Sequence, residues 1–343
     1  MAQRPTIKDL AREAGVGVAT VDRVINKRAN VRPETAERVA EAAERIGYHA
    51  AALLRERSAP ALPRQRLGFL FPKQAQPFYK AFARTIENAV AAHPDIDGRC
   101  IIRYPDAATP AAFETALRAL AKNVDAIGAT AINHPTLTRA VEDITSSGIP
   151  VFSLLNDFAQ GVRRAYLGTN NMKVGRIAAW MLATQIREPG KLAVFVGGHR
   201  WHSHHLRETG FRSYIREFAP DFEMIHTMVN LDTRQLTYEA TIDLLSREPR
   251  LRGLYIAGGG MEGAIAALRE TRPPGKVVLV VNEDTTDSRA ALMDRYASLA
   301  ISTPLDPLCR RTVDLMVQAL NDPEAATPGQ VFMSPDLLVP ESV

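Results

Sequence analysis

The 343 residues are 46% hydrophobic and 23% charged, a composition that excludes a disordered or fibrous chain, and the length accommodates two or three domains. Residues 1–66 hold 13 Lys and Arg against 8 Asp and Glu, while the other 277 residues hold 29 against 30, so the net charge of +4 resides at one end. That asymmetry predicts a small basic module facing a polyanion, joined to a neutral body with another task. Charges at Arg4, Lys8, Asp9, Arg12 and Glu13 interrupt any apolar signal segment, and no later stretch approaches the roughly 18 apolar residues that span a membrane. A cytoplasmic protein with no membrane partner is expected. Cys100 and Cys309 show no CxxC spacing and read as core residues.

Thr6 with Asp9 three residues later reads as a helix N-cap, and Ile7, Leu10, Ala11 and Ala14 recur at helical spacing. A glycine turn at residues 15–17 leads to a second helix with Val21, Val24 and Ile25 on its apolar face. Two short helices across such a turn form a helix-turn-helix unit. Pro33 suits the first position of a third helix, whose stripe is Ala36, Val39, Ala43 and Ile46 and whose stop is Gly47. In such a unit the start of the second helix reaches base edges in the major groove. Val18, Ala19 and Arg23 would then face bases, Arg23 through two hydrogen bonds to a guanine and the small side chains against a thymine methyl. Thr6, Thr20, Asn26, Lys27 and Arg28 are placed for phosphates.

Residues 6–48, TIKDLAREAGVGVATVDRVINKRANVRPETAERVAEAAERIGY, resemble the headpiece of the lactose-repressor (LacI/GalR) family of bacterial transcription regulators almost without gaps. The resemblance implies that Val18, Ala19 and Arg23 set specificity, that Asn26 closes the recognition helix, and that double-stranded operator DNA is the partner. Three departures stand out. Gly17 replaces the usual serine cap, and Asp22 replaces a small hydroxyl residue, where a carboxylate repels phosphate unless a neighbour such as Arg23 or Arg12 pairs with it. Arg57 falls where relatives carry a leucine wedge, with Leu53 and Leu54 upstream, which puts operator kinking in question. The domain plan is a headpiece with hinge at 1–57, a linker at 58–66 around Pro60 and Pro63, and a body at 67–343.

From Leu67 the texture becomes strand-helix alternation: apolar runs at 66–71, 99–104, 124–129 and 149–155, then at 191–197, 222–229, 251–258, 276–281 and 298–303. About nine strands alternating with helices over some 270 residues predict an α/β body of two lobes with doubly wound parallel sheets. Such lobes bind ligands at the carboxyl ends of their strands. The loops there contain Phe78 and Tyr79, Asn156 and Asp157, residues 200–207, residues 258–260, residues 282–284 and residues 302–306. The same segment resembles the periplasmic-binding-protein-like (type I) effector domain of that family. RETGF at 207–211 and NEDTTDS at 282–288 imply that Arg207 and Glu283 bond sugar hydroxyls, LLND at 154–157 implies a contact from Asn156 or Asp157, and Phe78 takes the aromatic position after the first strand. AGGGMEG at 257–263 departs, because relatives carry an asparagine or aspartate pair there.

Apart from the family, a hydroxyl-rich ligand needs donors and acceptors in several directions together with aromatic faces, which Asp, Asn, Arg and Trp supply. Trp201 is assigned to the pocket and Trp180 to the core. His199, His202, His204 and His205 leave three readings open: a metal site without a known spacing, hydrogen bonding in the pocket by His202 and its neighbours, or a solvated loop. The glycine runs fit neither GxGxxG nor a P-loop, so no cofactor and no metal is expected, and no nucleophile elbow or paired-carboxylate motif supports an enzyme. The whole reads as a DNA-binding regulator, a repressor, responding to a sugar, cyclitol or sugar derivative. A homodimer is expected, since two headpieces on a shared two-fold axis read a pseudo-palindromic operator. A sugar-binding protein without a regulatory role, and then a sugar-modifying enzyme, are the alternatives.

Overall fold

The computed structural model describes residues 4–26, 31–58, 62–324 and 329–343, the side chains of Arg57 and Ser58 excepted. Lys27, Arg28 and the Arg57 side chain, all named above, lie outside the described set. The chain divides into two compact units, Met1–Pro63 and Arg64–Val343.

In the first unit, α1 (Ile7–Ala14) starts at a capping box in which the Asp9 amide donates to Thr6 Oγ1 (3.4 Å) and the Thr6 amide to Asp9 Oδ2 (2.9 Å). It stops at Gly15, whose φ of 63° is left-handed. Next come α2 (Val18–Ile25) and α3 (Pro33–Arg45), the latter with proline at its first position. Leu10, Val21, Val24, Val39 and Ala43 are buried together. A fourth helix, α4 (Ala51–Ser58), follows the expected three in the segment read as the hinge. Leu54 is fully buried in this same core while Leu53 is 40% exposed, so Leu54 holds the helix to its unit and is unavailable as a wedge.

The second unit opens with β1 (Arg64–Leu70), so the first lobe takes in the last three residues of the linker expected at 58–66. Its elements are α5 (Pro77–Ala91), β2 (Asp97–Arg103), α6 (Pro110–Ala121), β3 (Ala126–Ala129), α7 (Pro135–Ser146), β4 (Val151–Leu154) and β5 (Ala165–Thr169). The second lobe comprises α8 (Asn171–Gln185), β6 (Lys191–Val196), α9 (His202–Phe218), β7 (Glu223–Met224), β8 (Met228–Val229), α10 (Arg234–Arg247), β9 (Leu251–Ile256), α11 (Met261–Thr271), β10 (Val278–Asn282), α12 (Thr286–Met293) and β11 (Leu299–Ser302). The chain then returns with α13 (Leu305–Asn321) and β12 (Gln330–Met333) to the first lobe, and ends with β13 (Asp336–Leu338) on the second.

One sheet runs β12-β5-β4-β3-β1-β2, all parallel, and the other β13-β11-β10-β9-β6-β7 with β8 also on β6, parallel except for the edge strand β13. Each is covered on both faces: in the first lobe Phe69, Phe82 and Met316 pack on one side and Phe113, Ile127 and Val141 on the other. Three expected features differ. Strands β5, β12 and β13 have no counterpart in the expected set; 222–229 yields two short pairings rather than one strand; and Trp180 is 46% exposed on α8, not core.

Candidate ligand cleft and DNA-facing helix

At the start of α2, Gly17 caps without a side-chain bond, and Val18, Ala19 and Arg23 are exposed with Thr20 half-buried. Among the described residues nothing lies within 4 Å of a Cβ built on Gly17, so the absent serine leaves open space. Asn26 is the C-cap, and its Nδ2 donates to Asp22 Oδ1 (2.8 Å), tying down the acidic side chain that departs from the family pattern. Thr6 spends its hydroxyl on Asp9 Oδ2 (2.6 Å), which with the other cap bonds holds the Asp9 carboxyl below its usual range. What α1 can offer a phosphate is its free N-terminal amides.

In the body a cleft opens between the lobes, enclosing a cavity of about 90 Å³. Phe78, Tyr79, Asn156, Trp201, Arg207 and Glu283 line it as the sequence indicates. Asp157 and His202 do not. Asp157 turns the other way to receive the Arg163 guanidinium on both oxygens, with Ser153, Gln160 and Gln330 completing the shell. Burial alone would raise its pKa, but the bonds from Arg163, Gln330 and Ser153 win and hold it low. His202 sits one residue out of phase with the cleft-facing side of α9.

Arg207 lies on α9, not in a loop. Its Nε donates to Asn171 Oδ1 (2.8 Å) and its Nη1 to the Ala257 carbonyl (2.8 Å), both groups buried. The helix can approach α8 so closely because both sides present glycine: a Cβ on Gly175 would sit 1.9 Å from Arg207 O, and one on Gly210 2.1 Å from Met172 O. Glu283 holds a left-handed φ of 73° and receives the Thr303 amide (2.9 Å) and hydroxyl (3.0 Å). Burial raises the pKa of its carboxyl, against the pull of Arg207 and Thr303. Asn156 clamps the lobes: its Nδ2 donates to Ala131 O (2.6 Å) in its own lobe, and its Oδ1 accepts from the Ser203 amide (2.8 Å) across the cleft.

The sequence reading missed Lys73, Asp232 and Glu262, which also line the cleft, and of the four histidines left open there it is His204 that lines it. Lys73 Nζ crosses from the first lobe to the carbonyls of Leu231 (2.9 Å) and Asp232 (3.2 Å). His204 Nδ1 accepts the Gly197 amide (3.1 Å), and burial drops its pKa to about 4, so it is neutral with the proton assigned to Nε2. Trp201 packs edge-on against Phe113 with ring centroids 6.4 Å apart and lies 6.0 Å from the His204 ring. Among the described residues no group of three or more His, Cys, Asp or Glu is arranged to hold a metal ion, and no helix is long and apolar enough to cross a membrane.

A two-lobed α/β cleft with convergent polar groups defines a class of small-molecule binding domain, here on the same chain as a helix-turn-helix unit. Residues 6–50 match the family described as bacterial regulatory proteins, lacI family, and residues 67–324 match the periplasmic binding protein domain. The chain belongs to the lacI family of bacterial regulatory proteins, with a periplasmic-binding-protein body. It is 27% identical over 216 residues to an uncharacterised HTH-type transcriptional regulator in the aml 5′ region of Streptomyces limosus, a match covering 62% of this chain and 58% of that one. Against catabolite control protein A of Priestia megaterium it is 41% identical over 83 residues, 24% of each chain. Against HTH-type transcriptional regulator GalS of Salmonella typhimurium it is 26% identical over 275 residues, 77% of this chain and 75% of that one. The matches thus span less than two thirds of the first two relatives. Among solved structures, a solute binding protein from Burkholderia graminis in complex with D-arabinose has a TM-score of 0.75 at 18% identity, covering 82% of this chain and 96% of that one. One from Agrobacterium vitis bound with alpha-D-tagatopyranose has a TM-score of 0.73 at 20% identity, covering 81% and 95%. At these identities the likeness shows the fold.

Proposed function

We propose that the protein is a cytoplasmic, homodimeric repressor that binds operator DNA through α2 and is controlled by a small sugar or polyol in the cleft. The observation that carries this reading is the exposure of Val18, Ala19 and Arg23 at the start of the recognition helix in a chain of the lacI family. Arg207 and Glu283 supply a fixed donor and acceptor for ligand hydroxyls, and Phe78 and Trp201 supply apolar faces for the CH surfaces of a sugar. Relatives named as regulators support the DNA role, and neighbours crystallised with D-arabinose and tagatopyranose support the ligand class. A ligand that prefers one arrangement of the lobes shifts the population of that arrangement by its differential affinity, and operator affinity follows. No chemistry is needed for this role, and the protein acts without a cofactor.

Removing residues 1–60 tests the reading. The full chain is expected to retard DNA from its own promoter region with a steep salt dependence, and the truncated chain to retard none while keeping its ligand. Equal behaviour of the two chains would favour the alternative of a solute-binding protein.

A further inference from the structure

The loop after β9 gives the cleft only glycines, and the side chain beside them comes from another loop. A Cβ on Gly258 would lie 2.5 Å from Asp232 Oδ1, one on Gly259 2.9 Å from Asp232 Cβ, and one on Gly197 2.1 Å from Asp232 Oδ2. The loops after β6 and β9 therefore make a cradle that the Asp232 side chain fills. It is held there: Oδ1 accepts the Gly259 amide (2.8 Å), the Asp232 amide donates to Asn230 Oδ1 (2.9 Å), and Asn230 Nδ2 donates to Gly259 O (2.9 Å). Leu231 and Asp232 both hold a φ of 53°, at a cost on the order of 1 kcal/mol per non-glycine residue, and such strain persists only where the surroundings impose it. Lys73 and Gln76 impose it from the opposite lobe through the Leu231 and Asp232 carbonyls.

A second observation points to a ligand. Thr130 on one wall and Asn282 on the other are 1% and 2% exposed, and both Thr130 Oγ1 and Asn282 Oδ1 lack a hydrogen-bond partner among the described residues. Both residues line the cleft. Orphaned buried polar atoms are uncommon, and a bound molecule that satisfies them recovers that cost. The charges narrow its chemistry. Asp232, Glu262 and Glu283 face the cleft with Arg207 and Lys73, and the Lys73 ammonium is turned onto backbone carbonyls. A ligand carboxylate or phosphate would add a negative charge beside three carboxylates, whereas hydroxyl groups meet acceptors.

Resting on the reading of the cleft as the effector site, we propose that Asp232 is its specificity-determining residue, accepting hydrogen bonds from the hydroxyls of an uncharged, monosaccharide-sized polyol and excluding acidic sugars. The test is thermal melting and calorimetry of the full chain with neutral pentoses, hexoses and inositols, set against galacturonate, glucose 6-phosphate and glucosamine. At least one neutral compound is expected to raise the melting temperature, and Asp232→Asn to weaken its binding at least tenfold. Asparagine tolerates the left-handed backbone and keeps the acceptor for Gly259, so the ligand-free melting temperature should stay within a few degrees. Gly258→Ala, whose Cβ would press on the Asp232 carboxylate and the His204 ring alike while keeping the charge, should weaken the same ligand. Stabilisation by charged compounds alone, by none of the panel, or with undiminished affinity in Asp232→Asn overturns the proposal. Retardation of DNA by the ligand-free chain is a separate readout, so failure here leaves the operator reading standing.

Discussion

In the headpiece, Val18, Ala19 and Arg23 come from one eight-residue helix and stay exposed, whereas the cleft draws Lys73, Asn156, Arg207, Asp232 and Glu283 from five segments and buries or half-buries each. The first is a local surface of exposed side chains. The second is a network in which Asn156, Arg207 and Glu283 already hold protein groups. Changes in the headpiece should therefore act one contact at a time, and changes in the cleft should spread.

The largest expected effect is at the seam that places Arg207. Gly210→Ala puts a Cβ 2.1 Å from the Met172 carbonyl, a backbone atom that cannot swing away, so α8 and α9 must separate. A loss of about 3 kcal/mol in the unfolding of the body is expected from chemical denaturation, together with loss of ligand binding. A wild-type midpoint would show that the two helices do not depend on this contact. Arg207→Ala should follow, weakening the effector about 100-fold by calorimetry, about 3 kcal/mol, because it also leaves Asn171 Oδ1 and the Ala257 carbonyl without their donor. Operator retardation without ligand should be unchanged. If ligand affinity were unchanged instead, Arg207 would have a structural role only.

How much of this could be read from the sequence follows the same division. The headpiece was legible because its spacing, caps and charge lie within some 50 consecutive residues; only the docking of α4 through Leu54 was not, since a helix with no strong apolar stripe gives little signal. In the body the rule of strand ends found Phe78, Asn156 and Glu283, and the family resemblance placed Arg207. It could not separate Asn156 from Asp157, since adjacent residues after a strand point opposite ways and only the fold reveals Arg163 beside the second. Reading residues 200–207 as a loop lost the helical phase: Trp201, His204 and Arg207 recur every three residues on the cleft side, and His202 falls between them. Asp232 was hidden because 222–229 reads as one strand, which obscures the turn after β8.

Two smaller effects sharpen the contrast. Arg23→Ala should cost about 1 to 3 kcal/mol at one base pair of the operator, measured by retardation of single-base variants; an equal loss on all sequences would make it a phosphate contact. In the cleft, His204 has a folded pKa of about 4 against 6.5 unfolded, so the unfolded chain takes up the proton first as pH falls. The body should lose stability from pH 6.5 down to 4, about 2 kcal/mol from this group by pH 5, with no contribution above pH 7. His204→Gln should flatten that slope in denaturant titrations; an unchanged slope would place the proton uptake elsewhere.

The smallest effect separates the two regions most cleanly. Gly17→Ser adds a side-chain acceptor at a position whose φ of −73° and ψ of 150° already suit a cap and whose Cβ would meet none of the described residues within 4 Å. Serine there can accept the Thr20 amide, one of the first-turn donors that α2 leaves without a side-chain partner. Serine exceeds glycine as a cap by only a few tenths of a kcal/mol, which for a unit of this size is about 2 °C in melting temperature. The headpiece transition should rise by that amount while ligand affinity and the melting of the body stay fixed. A shift of the body transition as well would mean that the two units unfold together, and the separation drawn between a local reader and a distributed cleft would fail at the level of stability.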